Sequence, residues 1–160
     1  GFIHKIEDFK LIKNAVNGLK LLKDYKLFII TNQSGIGRGY YKIEDFLKFN
    51  KYLIKQLEKN KIKIQKTYYC PHKPEDNCEC RKPSAKLLKE AEKEFGIDLK
   101  KSFVIGDRKS DIEMGRNAGC KAILVLTGNG RKIKDEIKAD YVAIDLLDAA
   151  RWILKNDTDD

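Results

Sequence analysis

Short apolar runs alternate with amphipathic stretches along this chain, and that alternation restricts its fold more than any other feature. Lys26–Thr31 (KLFIIT), Ile62–Tyr69, Ser102–Gly106 (SFVIG), Ala122–Leu126 (AILVL) and Tyr141–Ile144 read as strands. KLFIIT is predicted to be buried on both faces. Between them lie helical patterns. One begins at an Asn14 cap and runs to about Asp24. Another spans about Ile43 to Lys59, with Phe46, Phe49, Leu53 and Leu57 as its apolar stripe. A third opens at Pro83 and Ser84, places Leu87, Leu88, Ala91 and Phe95 on one face, and closes at Gly96. Short helices are predicted over Ile112–Ala118 and Ile133–Lys138, and a last one carries Leu146, Leu147, Ala150, Ile153 and Leu154 before a polar tail. Strand–helix alternation of this kind implies right-handed crossovers, a parallel sheet and a three-layer α/β domain. The 160 residues suit one domain.

In such folds ligands sit beyond the carboxyl ends of the strands. Three groups of polar residues fall there. Thr31 follows the first strand and leads into NQSGIGRG. In that loop Asn32, Ser34 and Gly35 offer polar and backbone groups, and the glycines let the backbone approach an anion. Asp107 follows SFVIG, and Asp111 lies four residues on in the same predicted loop; two such carboxylates suit Mg²⁺.

The third group follows the Tyr68–Tyr69 strand. Cys70 and His72 are one residue apart, as are Cys78 and Cys80. Three thiolates and one imidazole make a complete tetrahedral zinc set with no open position, so a structural role is expected. Arg81, Lys82 and Pro83 come next, which makes residues 70–80 a metal-locked loop delivering two cations to the rim. Cys120 stands apart and reads as a buried thiol.

Charge and hydropathy narrow the partners. No apolar run approaches the ~18 residues of a membrane span. The first ten residues, which include His4, Lys5, Glu7 and Asp8, do not read as a secretory segment, so a reducing, cytoplasmic setting and a monomer are expected. The net charge of +9 favours anionic partners, but the lysines are spread over the helices. No single basic and aromatic stripe forms, which disfavours nucleic acid.

The order Thr31, Lys82, Asp107 with Asp111 resembles the second, third and fourth motifs of the haloacid dehalogenase superfamily. The strings TNQSGIGRG, YYCPHKP, CECRKP and GDRKSD resemble one branch of it, the heptose bisphosphate phosphatases and the related histidinol-phosphate phosphatase domains. The likeness runs from Gly1 to about Leu154. It implies a Rossmann-like parallel sheet of haloacid dehalogenase type with a zinc-loop insertion, in one phosphatase-like domain over 1–160. It also implies Mg²⁺-dependent hydrolysis of a small phosphorylated sugar in lipopolysaccharide heptose synthesis, with structural Zn²⁺. By the resemblance Thr31 binds the transferring phosphoryl group and Lys82 neutralises it. Asp107 binds Mg²⁺ with support from Asp111, while Asn32, Ser34, Gly35 and Arg81 meet substrate. The superfamily often has lysine where Arg108 stands, so no role is assigned to Arg108.

The superfamily's first motif, Asp-x-Asp-Gly-Thr, does not occur. The single Asp-x-Asp, Asp157 to Asp159, has no strand before it and no Gly-Thr after it. The expectation is therefore that a first strand of roughly twenty residues with its loop is lacking. By the resemblance that strand lies between the Leu27 and Phe103 strands and carries the nucleophile and general acid, so the chain as given should be nearly inactive. Alternative readings are a histidinol-phosphate phosphatase, a polynucleotide 3′-phosphatase (which shares the TNQ and GIGRG features but lacks the zinc loop) and a catalytically dead zinc-stabilised fragment.

Overall fold

The structure, a computed structural model, describes residues 13–157. Residues 1–12 and the last three residues of the polar tail lie outside them. The elements run in the order α1 (Lys13–Leu21), β1 (Leu27–Asn32), α2 (Ser34–Gly37), α3 (Ile43–Lys59), β2 (Ile64–Cys70), α4 (Lys86–Phe95), β3 (Phe103–Gly106), α5 (Lys109–Asn117), β4 (Lys121–Val125), α6 (Gly130–Ile133), β5 (Tyr141–Ala143) and α7 (Leu146–Asn156).

All strand pairings among the described residues are parallel, as the alternation predicts. They fall into two sheets, β1–β2 and β3–β4–β5. The break lies between β1 and β3, so β1 is paired on one side only. That explains why every residue of β1 is half-buried, against the expectation of a strand buried on both faces.

Alternation along β2 sets the layers. Tyr68 and Cys70 pack on Leu87 and Ala91 of α4. From the other face Thr67 bonds Asn50, and Tyr69 packs at a tilt against Phe46 of α3. Leu88 of α4 also packs with Val104 of β3, Met114 of α5 and Ile30 of β1. Thus α4 bridges the two sheets. On the α3 side, Val16 of α1 meets Leu57 and Ile62. Leu22 joins Ile123, Ala150 and Ile153 between the sheet and α7. A fully buried aliphatic side chain of this kind contributes about 1.5–3 kcal/mol.

Helix α3 matches its predicted span. Its first turn carries Glu44 and Asp45, which suit the positive end of the helix dipole, and Lys42 N–H donates to Asp45 Oδ2 at 2.9 Å. Gly96, at φ +67°, closes α4 as expected.

Other boundaries differ. Helix α1 stops at Leu21; the chain leaves it through tight turns, Leu22 N–H donating to the Leu19 carbonyl at 3.0 Å and Tyr25 N–H to the Leu22 carbonyl at 2.9 Å, with Leu22 buried in the core. Asn14 lies inside α1, with its amide donating to Asp145 at the start of α7 (2.9 Å) and not capping its own helix. Helix α4 starts at Lys86, not Pro83: Ser84 Oγ accepts from Lys86 N–H, and Asn117 holds the Pro83 carbonyl. The Lys82–Pro83 peptide is cis. The helix predicted over Ile133–Lys138 is replaced by α6, four residues ending at Ile133, although Ile133 and Ile137 both reach the core around Ile112 and Leu124. Helix α5 begins at Lys109, which moves Asp111 out of the predicted loop and into the first helical turn.

Candidate active site and metal centre

Parallel pairing puts the carboxyl ends of the strands on one rim. Strand β1 ends with Thr31 and Asn32, opposite Tyr69 and Cys70 of β2. Strand β3 ends at Gly106, immediately before Asp107.

Lys82 ties these ends together. Its backbone N–H donates to Asn32 Oδ1 at 3.1 Å. Its ammonium reaches the Ile30 carbonyl at 3.4 Å and forms an ion pair with Asp111. Both side chains of that pair are only 10% exposed. The second Asp111 oxygen accepts from Arg108 N–H at 3.2 Å, so both carboxylate oxygens are engaged by the protein. This differs from the open pair of loop carboxylates read from the sequence: Asp111 anchors Lys82. Gly106 makes room for it, since a Cβ there would run into the Asp111 side chain.

Asp107 is held differently. One oxygen accepts from the backbone N–H of Asn129 at 3.1 Å. Gly128, at φ +62°, passes so close that a Cβ would collide with the carboxylate. The turn after β4 therefore cradles Asp107 from the neighbouring strand end. Arg108 is exposed. Arg81 carries a buried guanidinium nitrogen, Nη1, with no hydrogen-bond partner among the described residues. A buried unsatisfied donor of this kind calls for an acceptor such as an anionic oxygen. Ser34 is half-buried and Gly35 buried within α2. Gln33, which the sequence reading passed over, donates from Nε2 to Thr31 Oγ1 at 3.0 Å. Gly128 and Asn129 were likewise passed over; their position after the β4 strand was the available signal.

Cys70, His72, Cys78 and Cys80 converge as their spacing predicts. One ligand atom from each lies within 4.8 Å of all the others. Cys70 Sγ is 3.4 Å from Cys78 Sγ and 3.6 Å from His72 Nδ1, and Cys80 Sγ is 3.4 Å from the same nitrogen. Cys80 Sγ and Cys70 Sγ lie closer, at 2.6 Å. Tetrahedral ligands at the usual Zn–S distance of ~2.3 Å sit about 3.8 Å apart, so the donor types and three of these four separations suit a tetrahedral metal ion, and the Cys70–Cys80 pair would part by about 1 Å to admit it. Burial pushes the Cys70 thiol up to about 12. Burial also acts to raise Cys78, but hydrogen bonds with Cys70 and the Arg81 backbone outweigh it and draw this thiol down to about 7. A central cation replaces such shared protons, because a coordinating thiol is deprotonated outright. The cluster is joined to the phosphate-loop candidate as well. Gln33 N–H donates to the Cys70 carbonyl at 2.7 Å, and a Cβ on Gly37 would lie 2.7 Å from Lys73 N. Cys120 is buried apart from the cluster, and burial raises its thiol to about 11.

Known proteins resemble the chain. The family model described as HAD-hydrolase-like matches residues 79–149. A D-glycero-alpha-D-manno-heptose-1,7-bisphosphate 7-phosphatase of Campylobacter jejuni is 45% identical over 127 residues, covering 78% of this chain and 73% of the relative. The D-glycero-beta-D-manno-heptose-1,7-bisphosphate 7-phosphatase of Haemophilus ducreyi is 36% identical over 96% of this chain and 90% of its own. Among solved structures, the D,D-heptose 1,7-bisphosphate phosphatase of B. bronchiseptica, complexed with magnesium and phosphate, superposes with a TM-score of 0.89 at 26% identity, over 96% of this chain and 89% of that one. Thr31 and Asp107 at the carboxyl ends of β1 and β3, Lys82 tied between them beside a Cys₃His loop, and relatives matched along most of their length lead to one assignment: the chain belongs to the D-glycero-D-manno-heptose-1,7-bisphosphate 7-phosphatase family of the HAD-like hydrolases.

Proposed function

We propose that this chain hydrolyses a phosphomonoester of a small sugar, D-glycero-D-manno-heptose 1,7-bisphosphate, in the cytoplasm and as a monomer. The observation that carries the reading is Lys82, tied through its backbone to Asn32 at the end of β1 and through its ammonium to buried Asp111. A fixed cation at the junction of three strand ends suits phosphoryl transfer, where positioning and charge stabilisation supply most of the catalysis.

In this proposal Thr31 donates its hydroxyl proton to the transferring phosphoryl group. Lys82 neutralises phosphoryl charge, and Asp111 holds Lys82 in place. Asn32 fixes the Lys82 backbone, while Ser34 and Gly35 line the approach. Arg81 offers its unsatisfied guanidinium nitrogen to a second phosphate or a sugar hydroxyl. Asp107 is the residue we assign to Mg²⁺; such an ion, when bound, neutralises charge on phosphoryl oxygens. Cys70, His72, Cys78 and Cys80 are assigned to one structural Zn²⁺ that fixes the loop before Arg81 and Lys82. The break between β1 and β3 is our proposed seat for a strand bearing the aspartyl nucleophile and general acid that the resemblance implies.

Substrate size follows from the metal loop, which lies against the glycine-rich loop at Gly37 and narrows the rim. That favours a small sugar over an oligonucleotide. The test is side-by-side turnover of heptose bisphosphate, histidinol phosphate and a 3′-phosphorylated oligonucleotide by a form carrying the Asp-x-Asp strand. Heptose bisphosphate should be fastest; fastest turnover of the oligonucleotide would overturn the reading.

A further inference from the structure

A threonine hydroxyl has one proton to give and two lone pairs to receive. Towards a phosphoryl oxygen, which only accepts, Thr31 is useful solely as a donor. Its value therefore depends on whether its neighbours take that proton or leave it free. Gln33 Nε2 donates to Thr31 Oγ1 at 3.0 Å, filling a lone pair. The other end of the same carboxamide, Gln33 Oε1, accepts from the phenol O–H of Tyr41. Tyr41 is 7% exposed. Its burial raises the phenol, which keeps the O–H in place at neutral pH. The proton of Thr31 itself has only a long contact, 3.5 Å to the Asn32 carbonyl, and is released at small cost.

We infer that Gln33 and Tyr41 are positioning residues for phosphate: Tyr41 fixes the orientation of the Gln33 carboxamide, and Gln33 thereby turns the Thr31 proton towards an incoming phosphoryl oxygen. The pair spans α2 and fixes the loop from both sides, with Gln33 before Ser34 and Tyr41 after Gly39. The inference rests on the role proposed above for Thr31. A carboxamide turned the other way would present Oε1 to Thr31 and draw its proton off, which gives the opposite sign in a mutation.

The test is the affinity of the full chain for inorganic phosphate at saturating magnesium, measured by calorimetry for Thr31→Val, Gln33→Met, Tyr41→Phe and the Thr31→Val/Tyr41→Phe double variant, with thermal melting as the check of folding. Thr31→Val and Gln33→Met should each weaken phosphate on the order of tenfold, and Tyr41→Phe roughly three- to tenfold, the range for one ordinary hydrogen bond. In the Thr31→Val background Tyr41→Phe should have no further effect, because its influence passes through the hydroxyl that is gone. Additive losses would reduce Tyr41 to packing and overturn the inference. Unchanged or tighter phosphate in Gln33→Met would mean that the carboxamide faces the other way, and would also overturn it. An unaltered Thr31→Val would instead sink the role of Thr31 itself, a failure distinguishable from the others.

Discussion

The backbone N–H of Lys82 donates to the side chain of Asn32, a residue 50 positions earlier. Through this bond the end of β1 and the segment leaving the metal loop become one rigid unit. The Asn32 Oδ1 thus serves the protein. A lysine ammonium on a flexible stem is a poor catalytic cation unless its backbone is fixed, so this bond determines where the charge sits.

Asn32→Ala should therefore weaken inorganic phosphate about tenfold and cost about 1 kcal/mol of stability, the worth of one partly buried hydrogen bond. Asn32→Asp keeps an acceptor and should recover most of the stability. Calorimetric phosphate titrations and urea melts on the two variants check this. Equal phosphate affinity in Asn32→Ala and the parent would show that Lys82 is positioned without Asn32.

Metal content is the second expectation. Elemental analysis should find zinc near one equivalent, bound by Cys70, His72, Cys78 and Cys80. Because Gly37 packs on Lys73 and Gln33 bonds Cys70, releasing the metal should loosen the Thr31 loop together with Lys82. Cys80→Ser should lower the melting temperature by about 10 °C or more, taking a loss of several kcal/mol at roughly 2–4 °C per kcal/mol. Phosphate affinity should fall in parallel. A chelated protein that melts where the untreated one does would refute a structural metal.

The Lys82–Asp111 pair gives a third. Both side chains are nearly buried, so removing one partner leaves the other as an uncompensated charge. Asp111→Ala should cost about 3–5 kcal/mol of stability. Lys82→Met in the Asp111→Ala background should restore part of that stability but no phosphate binding, because the cation is gone. Urea denaturation combined with phosphate titration separates the two effects. A double variant no more stable than Asp111→Ala would mean that the cost is packing at Gly106 and not charge.

Much of this was legible in the sequence wherever the signal was local. The apolar stripe of α3 gave its span, Gly96 closed α4, and the paired spacing of Cys70, His72, Cys78 and Cys80 foretold their convergence. Contacts that close across the fold left no such trace. Nothing near Asp111 says that it starts a helix and faces a lysine 29 residues earlier. Asn129 reaches Asp107 only because β3 and β4 lie side by side. The start of α4 was misread because Pro83 favours a first helical turn, whereas here the Ser84 hydroxyl and the Asn117 amide hold that segment in another conformation. The break between the sheets depends on which strand edges pair, and the apolar content of KLFIIT is the same either way.

The last expectation concerns acid. Asp145 caps α7 through Asp148 N–H at 2.9 Å and accepts from the Asn14 amide of α1 at 2.9 Å, so it joins the two helices that close this side of the sheet. The Asp148 N–H and the Asn14 amide, with Arg151 nearby, hold its carboxyl below the usual range. A depressed folded-state value means that the unfolded chain takes up a proton first as the pH falls. The stabilisation from this carboxylate is therefore fully present above the ordinary aspartate value of ~3.9, and it is lost as the pH drops through the lower value in the folded protein. Asp145→Asn keeps an oxygen for the Asp148 N–H, and Asn14 can turn its carboxamide so that its own oxygen accepts from the new amide; asparagine is itself a good cap, so the comparison chiefly removes the charge. At neutral pH the variant should be less stable by about 0.5–1 kcal/mol, the worth of a carboxylate at a helix amino end. That gap should close as the pH is lowered below the ordinary aspartate value. Urea midpoints of both proteins across this range measure it. A gap that stays constant to the lowest pH at which both remain folded would mean that geometry, and not charge, makes Asp145 matter.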